Sequence, residues 1–153
     1  MKKMLAAILA AVFCFLTFSG CGASEKKRDA AIDIDFTAFS STVAYAQLSA
    51  LLMHPEEYAG KTVKIDGTYF SNYYDITDSY YHYILIEDST ACCSQAIEFA
   101  LSTHGQGYPD EDGAVGGYPI PGELIEIVGI ISSYEELGHE YFYILAENYE
   151  LKF

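Results

Sequence analysis

The sequence predicts a mainly β domain in which five antiparallel strands close a barrel preceded by one helix. Three observations carry that prediction. Apolar residues alternate with polar ones in several short stretches after residue 60, the period of half-buried strands. A single apolar, proline-terminated stretch lies before them and reads as the helix. Between the third and fourth strands, Ser102 to Gly122 holds six of the twelve glycines and three of the four prolines, a density that breaks regular structure and marks a long loop.

The helix begins where Ser40, Ser41 or Thr42 can cap it. Val43, Tyr45, Leu48, Leu51 and Leu52 fall at spacings compatible with one apolar face. It should end near His54-Pro55, because a residue before proline is pushed out of helical geometry. Pro55 to Gly60 then forms a turn closed by glycine.

The first strand runs from about Lys61 to Phe70, with Val63, Ile65 and Tyr69 on one face. Tyr81 to Glu87 is the second and Gln95 to Leu101 the third, the latter with Ile97, Phe99 and Leu101 aligned. Leu124 to Ile131 is almost continuously apolar and reads as central. Glu140 to Ala146 is the fifth. A five-stranded barrel of this size fits the OB-fold; a two-sheet sandwich is the alternative. The spacing Tyr58-x-Gly60-Lys61-x-Val63-x-Ile65-x-Gly67 resembles the first strand of bacterial OB-like domains.

The amino end sets the compartment. Met1-Lys2-Lys3 is basic, and Met4 to Phe18 is uncharged and apolar. That run is shorter than the roughly 20 residues of a membrane-spanning helix and suits a secretory signal. Phe18-Ser19-Gly20-Cys21 resembles the bacterial lipobox, with Phe18 in place of the usual leucine. The resemblance implies cleavage after residue 20 and lipidation of Cys21, giving an extracytoplasmic protein held to the cell membrane by acyl chains such as palmitate. An ordinary signal peptide followed by an incidental cysteine is the alternative. Residues 21–40 then read as a tether and 41–153 as the domain.

Loss of residues 1–20 removes Lys2 and Lys3 and no acid, taking the net charge from −14 to −16. So negative a surface opposes nucleic acid, whose partners show a basic patch, and favours cations or neutral ligands. Cys14 leaves with the signal, so Cys92 and Cys93 are the thiols that remain. The chain lacks the multi-bridge framework of small secreted scaffolds.

The domain resembles a group of small Gram-positive lipoproteins with an OB-like domain and a Cys-Cys motif. The likeness rests on His54-Pro55-Glu56-Glu57-Tyr58-Ala59-Gly60-Lys61, on Tyr80 to Asp88, on Ala91-Cys92-Cys93-Ser94-Gln95 with Ile97-Glu98-Phe99, and on Ser133 to Gly138. The double cysteine after a strand is also similar to the extracytoplasmic OB-like part of membrane proteins linked to metal supply. These likenesses imply fold and location and carry no activity.

Two constellations could bind. On a regular strand, Cys92 and Cys93 point to opposite faces; they converge only if Ala91 to Ser94 turns, which Asp88-Ser89-Thr90 favours. Two thiolates with His82 or His104 would then make a zinc or copper site. Their alpha carbons, about 3.8 Å apart, are too close for an unstrained disulfide. The plainer alternative buries one cysteine as a small hydrophobe and leaves the other in a loop. The second constellation is Ser71 to Tyr83, with five tyrosines and two aspartates between the first two strands. Tyr73, Tyr74 and Tyr81 could bind an envelope glycan, a peptide or a membrane protein, or could simply fill strand positions. The acidic loop Pro109 to Gly113 lacks EF-hand spacing. No Ser-His-Asp arrangement, phosphate loop or H-E-x-x-H motif is present, so the reading is a binding module and not an enzyme.

Overall fold

The computed structural model describes residues 31–103 and 115–153. Cys21, His104 and the acidic loop 109–113 lie outside the described residues. Alternation of buried and exposed side chains produces five long strands: β2 (Thr62–Tyr74), β3 (Ser79–Glu87), β4 (Ser94–Leu101), β5 (Leu124–Glu136) and β6 (His139–Leu151). Preceding them are β1 (Ile34–Asp35) and α1 (Ser41–Met53).

The strand order is β1-β2-β3-β4-β6-β5, and β2 pairs again with β5. Strands β2 to β6 therefore form a closed barrel. It is mixed and not purely antiparallel: β4 and β6 run parallel, with Phe99 opposite Ile144 and Leu101 opposite Ala146. Parity requires this. A ring with an odd number of strands cannot reverse direction at every junction.

Closure depends on β2 changing partners. Its first half pairs with β5 up to Thr68↔Leu124, and its second half pairs with β3 from Thr68↔Leu85. Gly67 sits at the exchange, where an added Cβ would collide with the Leu85 carbonyl oxygen and the Ile84 side chain. Only glycine lets the backbones approach this closely.

The barrel interior is one apolar cluster that includes Val63, Ile65, Ile84, Ile97, Ile127 and Ile144. α1 packs against β3 and β4 and adds Ala44, Leu48 and Leu51 to that cluster. Val43 and Leu52, expected on the buried face, are exposed. The helix is apolar on nearly every side, so spacing alone does not select its buried stripe.

Three further expectations shift. Residues 34–38, read as tether, join the folded body: Ile34 and Asp35 pair with Val63 and Lys64, and Phe36 is 2% exposed. Tyr73 and Tyr74 extend β2 instead of occupying a loop, pairing with Tyr80 and Ser79. Finally, the glycine- and proline-rich segment returns Val115 and Tyr118 to buried positions.

The β5–β6 hairpin turns through Leu137 (φ 50°) and Gly138 (φ 82°). Two positive φ values in succession suit Asn-Gly. Leu137 is 60% exposed, so its strain brings little burial in return. Leu137→Asn should raise stability by roughly 0.5–1 kcal/mol, read as a higher denaturant midpoint with unchanged slope.

Candidate functional site

The cysteine turn connects β3 to β4. The Asp88 carboxylate organises it, accepting from the backbone N–H of Thr90 at 3.1 Å and of Cys92 at 3.2 Å, and from the Thr90 hydroxyl. The Ala91 N–H donates to the Asp88 carbonyl, and the Asp88 N–H to the Cys93 carbonyl. Ala91 takes a positive φ of 52°, which folds the chain back and breaks the strand alternation that would separate the thiols.

The two Sγ atoms consequently lie 3.6 Å apart, both exposed and unbridged. Asp88 Oδ2 is 3.6 Å from Cys92 Sγ. Although desolvation acts in the other direction, hydrogen bonds from Thr90 and Cys92 hold the Asp88 carboxyl below its ordinary range. The Cys93 thiol is raised, first by its contact with Cys92 and then by desolvation and the negative Asp88.

His82 does not belong to this turn. It lies six residues before Asp88 on an extended strand, about 20 Å away along the chain, and faces the interior at 4% exposure. Asp88, Cys92 and Cys93 form the one cluster of metal-ligating side chains among the described residues.

His82 instead joins an aromatic group at the barrel end away from α1. Its Nδ1 is 2.8 Å from the Tyr69 hydroxyl. Tyr118 stacks on its ring at 3.4 Å and 3° and accepts the Leu101 N–H at 2.9 Å. Burial lowers the imidazole to about 4, so it is neutral at physiological pH. Its Nε2 is buried and has no partner.

The predicted ligand-binding tyrosines divide. Tyr74 and Tyr81 line an outer groove with Tyr83, Tyr134, Tyr141 and Glu98. Tyr73 takes the opposite face of β2, as strand alternation requires, and its hydroxyl donates to Asp78 at 2.7 Å. Tyr81 donates to Glu136 at 2.7 Å, and Tyr134 donates to Glu98 at 3.0 Å. Burial, reinforced by the charge of Glu136 and opposed by the Tyr134 hydrogen bond, pushes Glu98 up to about 7.

The sequence alone assigns neither glutamate a binding role: Glu136, with Glu135, reads as part of a hairpin connection. Glu98 occupies an ordinary outward position on β4, and Glu136 lies far from it in sequence. The available signal was a carboxylate on a strand face whose neighbouring strands carry tyrosine.

No protein-family model matches the chain, and no curated protein matches it. Function is therefore argued from these side chains.

Proposed function

We propose that this chain is a lipid-anchored, extracytoplasmic binding module on an OB-like barrel, and that its turn at Asp88, Cys92 and Cys93 captures a transition metal. The spacing of the donor atoms carries this reading. Two sulfurs bound about 2.3 Å from a tetrahedral zinc lie about 3.8 Å apart, and a sulfur and a carboxylate oxygen on the same ion about 3.6 Å apart. The thiols here are 3.6 Å apart, and the Cys92–Asp88 separation is also 3.6 Å. Linear copper(I) would place the sulfurs farther apart, on opposite sides of the ion.

Three protein ligands leave a fourth position for water or an incoming donor. Structural zinc sites are closed by four protein ligands; an open, exposed one suits acquisition and handover. The acidic surface favours cation approach, and the lipid on Cys21 would hold the module at the membrane.

Purified protein prepared without chelator should carry about one zinc per chain, and its thiols should react only after chelation. Cys92→Ser combined with Cys93→Ser should abolish loading, and Asp88→Asn should weaken it. Because the thiols must lose their protons, affinity should rise with pH. A double-serine variant that retains stoichiometric metal sinks the proposal.

A further inference from the structure

We propose that the cleft between β3, β4 and the β5–β6 hairpin binds a hydroxylated primary amine of amino-sugar size, with Glu98 and Glu136 facing the ammonium and His82 reading a ligand oxygen. This site is separate from the cysteine turn and does not depend on metal binding there.

The cleft is a cavity of about 270 Å³ whose lining includes Tyr81, His82, Glu98, Tyr134, Glu136 and Tyr143. The outer groove, about 210 Å³, shares Tyr81, Glu98, Tyr134 and Glu136 with it. The cavity alone has room for a ligand larger than a bare ion.

Charge defines the first requirement. Two carboxylates line the cleft, and no lysine or arginine is among the residues that line it or the groove. The described residues contain three lysines, Lys61, Lys64 and Lys152, and the last two pair with Glu126 on a different part of the barrel. No lysine or arginine among the described residues offsets the Glu98–Glu136 repulsion; a proton on Glu98 relieves it below about pH 7, and above that a bound cation would.

The carboxylates are also held in place before a ligand arrives. Tyr134 spans both oxygens of Glu98 at 3.2 and 3.0 Å, and Tyr81 spans both oxygens of Glu136 at 2.7 Å. An ionised carboxylate has about four acceptor positions, so each retains capacity for an ammonium. The tyrosine rings provide faces suited to a cation and to the apolar side of a sugar ring.

His82 supplies the second requirement. The Tyr69 hydroxyl engages Nδ1 at 2.8 Å, so the other ring nitrogen, Nε2, is the one left for a ligand, as donor or acceptor according to the tautomer. Nε2 is buried without a partner, and an unmet buried polar group destabilises the empty site. A hydroxyl oxygen near the ligand ammonium would satisfy it.

The test is a ¹H–¹⁵N NMR titration of the full chain with glucosamine, using N-acetylglucosamine as the uncharged comparison at the same pH. Glucosamine should shift the His82 and Glu98 resonances saturably, and N-acetylglucosamine should bind at least tenfold more weakly. Glu98→Gln with Glu136→Gln should weaken glucosamine at least tenfold. Each glutamine keeps the tyrosine hydrogen bond, and each single variant can be read alone if the double variant does not fold. Cys92→Ser with Cys93→Ser should leave the titration unchanged. Equal binding of the two sugars, no saturable shift with glucosamine, or full affinity in the glutamine variants would each overturn the proposal.

Discussion

Gly129→Ala should sharply lower the stability of the barrel. A Cβ at this position would stand 2.5 Å from Ile144 Cγ2 and 2.6 Å from the Leu145 carbonyl oxygen. The second obstacle is backbone, so a side-chain rotation cannot relieve it. Gly129 pairs with both Val63 of β2 and Ala146 of β6 beside an irregularity in the β5–β6 register. Moving β5 outward would strain two ladders at once. Overpacking usually costs about 1–3 kcal/mol, and this case belongs at or above the top of that range. Against a total of about 5–15 kcal/mol for an ordinary domain, this removes a large share of the stability margin. Denaturant titration of the variant should show a strongly lowered midpoint; a midpoint equal to that of the parent would contradict the close approach of β5 and β6.

Glu98→Gln should stabilise the protein at about pH 8 and make no difference at about pH 4. The folded carboxyl, at about 7 against an ordinary 4.5, keeps a proton that the unfolded chain has already released. Its contribution is complete below about 4.5 and disappears as pH rises through about 7. His82 has the opposite sign. Lowered to about 4 from 6.5, it contributes fully above about 6.5 and loses that contribution as pH falls toward 4. Between those limits the two largely offset each other. Removing Glu98 should therefore uncover a steeper acid decline caused by His82 alone. Allowing for the partial exposure of Glu98, the gain near pH 8 is on the order of 1–2 kcal/mol. Thermal unfolding across this range would show it, and parallel profiles for parent and variant would refute it.

The five barrel strands were legible because their core positions repeat every second residue, as in Val63 and Ile65 or Ile97, Phe99 and Leu101. The extension of β2 through Asn72, Tyr73 and Tyr74 was not, because that end is exposed and its residues do not alternate in polarity. Two residues, Ile34 and Asp35, are too few to display a period. The parallel junction of β4 and β6 joins segments distant in sequence, which local pattern does not encode. At the candidate sites, Asp88-Ser89-Thr90 announced the turn that brings the thiols together. Nothing local connected Glu98 with Glu136, and the glycine and proline residues around Tyr118 concealed an aromatic side chain bound for the interior.

The position of β6 has a consequence for how the chain reaches its native state. The last strand of the sequence lies between β4 and β5 and supplies Ile144 and Ala146 to the core. A nascent chain lacking it would have two unsatisfied strand edges, each a template for pairing with another molecule. High contact order slows such folding, because distant segments must meet before their contacts reward the loss of entropy. The barrel consequently cannot complete itself from its amino end as synthesis proceeds. Its final thirteen-residue strand, His139–Leu151, is the segment whose arrival turns an aggregation-prone open sheet into a ring.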